Sequence, residues 1–181
     1  MGFFSNCGVK GSDEQTKFIC ESVMAESLVD QVLGKIDQAA ELYHRLILIV
    51  APAGSGKTSA LQDLHERLGL PLVNVNLDLS RQMLDLTERQ RALQLPRLLM
   101  AIVNEAKGDI LLLDNIEILF DVSLKQDPLR LLQGLSRNKT IVAAWNGSID
   151  TNYLIYATPD HPEYKRYPSR DLLITTPEAR A

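Results

Sequence analysis

Leu46-Ile-Leu-Ile-Val-Ala-Pro-Ala-Gly-Ser-Gly-Lys-Thr58 is the stretch on which the reading of this chain turns. Its first five residues are an unbroken apolar run with β-branched side chains at Ile47, Ile49 and Val50. Such runs suit a parallel strand buried on both faces. The Gly-rich turn then feeds a helix over residues 57–68, with Leu61, Leu64 and Leu68 on its buried side and Gly69 as its stop. Residues 51–58 form a Walker A segment with one departure: Ala51 stands where a Gly is usual, while Gly56-Lys57-Thr58 is intact. The residue types explain themselves physically. Gly54 and Gly56 let successive N–H groups turn inward on phosphate oxygens, with Ala53, Ser55 and Ser59 completing the cradle. The helix adds the dipole of its N-terminus. Lys57 is expected to reach the β- and γ-phosphates, and the Thr58 hydroxyl to ligate Mg²⁺.

Outward from this segment, strands and helices alternate. Strands are expected at 72–75, 109–114 and 140–145. Pro96 suits the first turn of a helix running to about residue 107, Asp127-Pro128 opens another, and 78–94 reads as short helix and loop. Upstream, Ser12 with Gln15 resembles a capping box, and Ile19 and Val23 share a helical face. Ser27 caps a second helix whose stripe is Leu28, Val32, Ile36, Ala39 or Ala40, and Tyr43. Beyond Asn146 the pattern weakens. Two stretches, 153–156 and 172–175, fit strands, and Pro159, Pro162 and Pro168 interrupt the segment. The expected architecture is an α/β P-loop NTPase: a three-layer α/β/α sandwich with a mainly parallel sheet and no clear C-terminal lid. It is a single domain overall, with residues 1–44 an N-terminal arm and helices packed on a nucleotide-binding core at 45–181.

Asp109-Ile-Leu-Leu-Leu-Asp114 looks like a Walker B strand, placing the Asp114 carboxylate beside the metal. A strand-end Asp capping the next loop is the plainer alternative. Many additional-strand ATPases, such as AAA+ proteins, carry a Glu directly after this Asp to polarise the attacking water. Here the residue is Asn115, which can orient water but cannot take its proton. Glu117, two residues on, reaches the site if the loop turns suitably; otherwise it is a helix-start Glu. In the same ATPases a polar sensor residue ends the strand inserted between the Walker A and Walker B strands. Asn146 fits that role, or else it is the first residue of an Asn-Gly turn. The catalytic set is therefore Lys57, Asp114, Glu117 and Asn146, with Thr58 and Asp114 on the metal. Arg137, Arg166 and Arg170 are arginine-finger candidates toward a neighbouring subunit, against the plainer reading of solvated surface arginines. His44, His65 and His161 have no metal-ligand spacing.

The chain has 181 residues, 45% hydrophobic and 23% charged, as expected of one globular domain. Its net charge of −4 disfavours autonomous DNA binding, which needs clustered Lys and Arg. Cys7 and Cys20 read as ordinary thiols rather than a disulfide framework. Gly2 is followed by Asn6 where a myristoylation signal wants Ser or Thr, and no apolar run is long enough to span a membrane. A cytoplasmic protein is the expectation. ATP is expected over GTP, because no guanine-reading Asn-Lys-x-Asp motif occurs and the run from Asn138 lacks the Asp.

Several segments together resemble one family. They are the Walker A region, Leu111-Leu-Leu-Asp-Asn-Ile-Glu-Ile-Leu-Phe120 running into Asp127-Pro-Leu-Arg-Leu-Leu-Gln-Gly-Leu-Ser-Arg-Asn138, Ala143-Ala-Trp-Asn146, His161-Pro-Glu-Tyr164 and Asn74-Val-Asn-Leu-Asp-Leu-Ser-Arg81. Over residues 45–170 the chain is similar to the BrxF family, small P-loop proteins of type 3 BREX bacteriophage-defence systems. The resemblance implies a nucleotide-binding component of a multi-protein system that blocks phage DNA replication and marks host DNA by methylation. Its partners would be other defence-system proteins in a homo- or hetero-oligomer, with DNA reached only indirectly. It further implies that Asn115 belongs to the family pattern, making weak or conditional hydrolysis a group property. The alternatives are a nucleotide-dependent assembly switch that does not hydrolyse, a DNA-loading factor and a small-molecule kinase. A kinase needs an Arg-rich lid, and a DNA-loading factor needs a DNA-contacting segment; neither is evident.

Overall fold

A computed structural model describes residues 27–177. The expected helix at Ser12, the Ile19 and Val23 face, Cys7 and Cys20 lie outside the described residues. The elements in chain order are α1 (Leu28–Ala40), β1 (Leu46–Ala51), α2 (Lys57–Leu68), β2 (Leu72–Asn74), α3 (Val75–Gln82), α4 (Glu88–Glu105) and β3 (Ile110–Asp114). Two 3₁₀ turns follow, Ile116–Phe120 and Val122–Leu124, then α5 (Pro128–Leu135), β4 (Thr140–Asn146), β5 (Ser148–Asp150), β6 (Tyr153–Tyr156), β7 (Lys165–Pro168) and β8 (Leu173–Thr175).

The main sheet is five-stranded and parallel, in the order β2-β3-β4-β1-β8. Strand β4 lies between β1 and β3, so it is an additional strand inserted between the strand that enters the Gly-rich loop and the strand that ends at Asp114. Every residue of β1 is buried, as expected of a central parallel strand covered on both faces. One face packs Leu46, Leu48, Val50, Leu111, Leu113, Ile141, Ala143 and Trp145 against α3, α4, α5 and the 3₁₀ turns. The other packs Ile47, Ile49, Leu112, Val142 and Ala144 against α1 and α2. The result is a three-layer α/β/α sandwich of the P-loop class. Among the described residues no helix follows β4, and no helix is long and apolar enough to cross a membrane.

Local signals placed α1 and α5 well. The Ser27 hydroxyl accepts the Asp30 amide, and the Asp127 carboxylate accepts the Arg130 amide ahead of Pro128. Three details differ from expectation. Tyr43 is no part of the α1 stripe: the helix ends at Ala40, and Tyr43 is exposed under the Arg137 guanidinium. Leu68 is also exposed, in the last turn of α2 where the chain swings away at Gly69; Ala60 is buried in its place. Val75 opens α3 instead of ending β2, because Asn74 caps the helix through the Leu77 amide.

Pro96 is the larger departure. It lies inside α4, which begins at Glu88 behind a Thr87–Gln90 capping box. A proline there has no N–H for the carbonyl four residues back. That carbonyl belongs to Ala92, and Gln126 Nε2 donates to it at 2.8 Å. Burial of Leu95, Leu99, Ile102 and Val103 holds the helix through the interruption.

The tail was the least legible region. Tyr153–Tyr156 is a strand, but it is the centre of a separate antiparallel sheet, β5-β6-β7, whose outer strands the pattern did not reveal. Strand β8 returns to the main sheet beside β1. Trp145, the chain's single tryptophan, joins the two sheets. Its ring meets Phe120, Tyr156 and Tyr167 edge-on at centroid distances of 4.9, 6.3 and 6.0 Å. Its Nε1 donates to the Ile155 carbonyl at 3.2 Å. The Tyr167 hydroxyl donates to Asp127 at 3.2 Å, tying β7 to the start of α5.

Gly147 carries this junction. A Cβ there would lie 1.9 Å from the Ile155 carbonyl oxygen, a backbone atom that cannot step aside. Gly147→Ala is therefore expected to destabilise the fold by about 1–3 kcal/mol, the range for overpacking a tight site. Urea unfolding of the two proteins measures it, and equal midpoints would contradict the close approach.

Candidate functional site

The parallel sheet brings the C-terminal ends of β1, β3 and β4 to one edge. Register places Ala51 beside Asn146 and Asn74 beside Asp114. At that edge the chain leaves β1 through 52–56 and turns into α2. Gly54 and Gly56 have φ of 77° and 86°, the left-handed region in which a Cβ is strained. Those two turns place the loop and the α2 N-terminus on the wall of a cleft of about 390 Å³. The cleft is lined by Ala53, Gly54, Ser55, Gly56, Lys57, Thr58 and Ser59 from the loop, Asp114, Asn115 and Glu117 from the end of β3, and Ala144 and Asn146 from β4. Every residue singled out for nucleotide, metal or catalysis therefore meets in one place. Asn115 and Ala144 join them without having been given a role there.

Lys57 is only 6% exposed. Its ammonium donates to the carbonyls of Ala51 at 2.8 Å and Pro52 at 2.6 Å, and reaches Ser55 Oγ at 3.3 Å. Three donors thus meet three oxygens, as a buried ammonium needs. Burial lowers its pKa below the usual lysine value, while the charges of Glu117 and then Asp114 act to raise it. The Ala51 carbonyl also accepts the Gly147 amide at 3.1 Å, so loop, lysine and the end of β4 share one acceptor.

Asp114 is 7% exposed, and it accepts the amide of Asn115 at 3.0 Å. Asn115 takes a left-handed conformation with φ 52° and ψ 54°, which Asn tolerates better than most residues. That single residue ends the strand and starts the 3₁₀ turn, returning Glu117 to the cleft. Its carbonyl accepts the Asn76 amide at 3.0 Å, fixing the turn against α3. Glu117 Oε1 in turn accepts a hydrogen bond from Asn146 Nδ2. Asn146 is the last residue of β4, not the first of a free Asn-Gly turn, and the pairing joins two candidates that lie 29 residues apart.

The donor set fits a hard divalent cation held jointly with phosphate. Thr58 offers an exposed hydroxyl, and Asp114 a buried carboxylate, at the same cleft. Among the described residues no group of three or more His, Cys, Asp or Glu could hold a metal ion on protein ligands alone. The arginine-finger candidates line no part of this cleft. Arg137 precedes β4, at the opposite edge of the sheet; Arg166 lies on the Tyr153 ring at 3.5 Å; Arg170 is exposed.

Since Glu117 and Asp114 support the Lys57 charge against burial, Glu117→Gln is expected to lower the Lys57 pKa further. Titration of the labelled lysine by NMR checks this, and an unmoved or raised pKa would show that the two groups do not interact.

No family model and no curated protein matches the chain. A search of solved structures finds the C. elegans protein PCH-2, at 19% sequence identity and a TM-score of 0.38, over 77% of this chain and 40% of that one. The chain spans less than half the length of that protein.

Proposed function

We propose that this chain binds Mg²⁺-ATP in the 51–59 cleft and hydrolyses it weakly or under the control of a partner. The observation that carries this reading is the Glu117–Asn146 pair, facing the same cleft as Lys57, Thr58 and Asp114. The loop amides and the α2 N-terminus cradle the β- and γ-phosphates. Lys57 exchanges the carbonyls of Ala51 and Pro52 for phosphate oxygens, a trade of neutral acceptors for charged ones. Thr58 and Asp114 hold Mg²⁺, which neutralises the phosphate charge. In this reading Glu117 takes the proton of an attacking water, and Asn146 orients both that carboxylate and the water.

One observation favours a second reading, a nucleotide-dependent assembly switch with little or no turnover. The residue directly after Asp114 is Asn115, and its side chain cannot act as a base. Glu117 sits two positions after Asn115 and is already bonded to Asn146. Either chemistry suits the wider role drawn from the BrxF resemblance: an ATP-dependent component of a bacterial phage-defence complex, oligomeric with itself or other defence proteins and reaching DNA through them.

Lys57→Ala is expected to abolish Mg²⁺-ATP binding, measured by calorimetry, because among the described residues that line the cleft Lys57 is the only cation. Unchanged affinity would refute the site. Turnover by the unaltered protein, with and without duplex DNA, divides the two readings. Turnover lost in Glu117→Gln with binding retained marks Glu117 as the base; tight binding without turnover marks a switch.

A further inference from the structure

The β5-β6-β7 sheet contributes nothing to the described cleft lining, yet its central strand touches both neighbours of Asn146 and the turn that carries Glu117. On the Asn146 side, Trp145 Nε1 donates to the Ile155 carbonyl at 3.2 Å, and Gly147 packs directly on that carbonyl. On the Glu117 side, Phe120 ends the 3₁₀ turn that carries Glu117. Its ring stacks on Tyr156, with centroids 3.5 Å apart and planes 11° from parallel. Ile155 and Tyr156 are consecutive, so both partners of the pair are referenced to one short piece of backbone.

Tyr156 is itself fixed from outside. Its hydroxyl donates to Glu163 at 3.4 Å. Glu163 belongs to the His161-Pro-Glu-Tyr164 segment, which is closed by the Tyr164 amide on the His161 carbonyl at 3.0 Å and the Glu163 amide on His161 Nδ1 at 3.2 Å. Burial, then the charges of Glu163 and Glu117, push the Tyr156 pKa up to about 12, so the hydroxyl stays a donor across the neutral range.

We propose that β6, with Tyr156 as its contact side chain, is the positioning element of the Glu117–Asn146 pair, and that the 161–164 loop sets it from the far side. The inference rests on the nucleotide-hydrolysing reading of the cleft. A glutamate side chain has several rotatable bonds, and its carboxylate is useful to chemistry only if held within about 0.5 Å of one position. Tyr156 supplies that restraint without touching substrate, by fixing Phe120 and hence the turn. This gives the His161-Pro-Glu-Tyr164 segment a task although it lines no part of the cleft.

The side-chain amide signals of Asn146 in ¹⁵N-labelled full-length protein report the pair directly and need no turnover. Asn146→Ala identifies them by their loss, and Glu117→Ala shows where they lie without the carboxylate. Tyr156→Ala is expected to move them to the Glu117→Ala position, and Tyr156→Leu, a safer fold, to move them in the same direction. Tyr156→Phe keeps the stack but removes the hydroxyl's bond to Glu163, and is expected to move them part of the way; signals at the wild-type position in that variant overturn the part assigned to the 161–164 loop. In turnover, Tyr156→Leu is expected to lose on the order of tenfold to a hundredfold in kcat, the scale of a small misplacement, with the ATP Kd within about twofold. Signals that stay in place in a folded Tyr156→Leu protein overturn the proposal, as does full kcat once they have moved. Failure of the nucleotide-hydrolysing reading shows separately, as no Mg²⁺-ATP binding or no turnover by the unaltered protein; the amide signals still decide the role of β6.

Discussion

Strand β4 is the constraint on which the cleft depends. It is paired in parallel on both sides, to β1 from Ile141 to Asn146 and to β3 over its first four residues. All its residues except Asn146 are buried. A strand so placed cannot slip, because a shift of one residue would exchange the side chains facing its two covered sides. Its last residue is therefore delivered to a fixed point beside the phosphate loop. Moving β4 to the sheet edge would leave Asn146 and Glu117 without a common address.

Around that point the protein confines one cation with two carboxylates in little-exposed surroundings. Lys57 satisfies its donors on the loop's own oxygens, and the nearby charges of Glu117 and Asp114 offset part of the cost of its burial. The carboxylates are restrained in different ways. Asp114 is held by the backbone that follows it. Glu117 depends on Asn146, a side chain from another strand. The first restraint is local and the second tertiary, so Glu117 is the member of the set most exposed to rearrangement elsewhere in the fold.

The small antiparallel sheet gives that dependence a physical carrier. Aromatic contacts and one close backbone approach couple β6 to both the Glu117 turn and the end of β4. Packed aromatic groups transmit displacement because the interior is dense and has few voids to absorb it. The segment after Asn146, which carries no helices among its described residues, thereby bears on the geometry of the cleft from outside it.

The sequence by itself determined the local features: the Walker A loop, the length of α2, the caps at Ser27 and Asp127, and the central buried strands. These follow from backbone preference, capping chemistry and apolar patterning, which act over a few residues. It also singled out residues that the fold brings to one cleft, because a phosphate- and metal-binding reading restricts the residue types it looks for. Tertiary structure decided what no local pattern encodes. Pro96 sits inside a helix because Gln126, 34 positions from Ala92, takes up the carbonyl that the proline leaves unmatched. The outer strands of the small sheet are short, β5 exposed throughout and β7 at alternate positions, so their patterning is faint. Glu117 reaches the cleft because Asn115 adopts a left-handed turn that Asn permits but does not dictate. Its bond to Asn146 exists only because β4 enters the sheet between β1 and β3, and strand order is set by long-range packing that a reading along the chain does not contain.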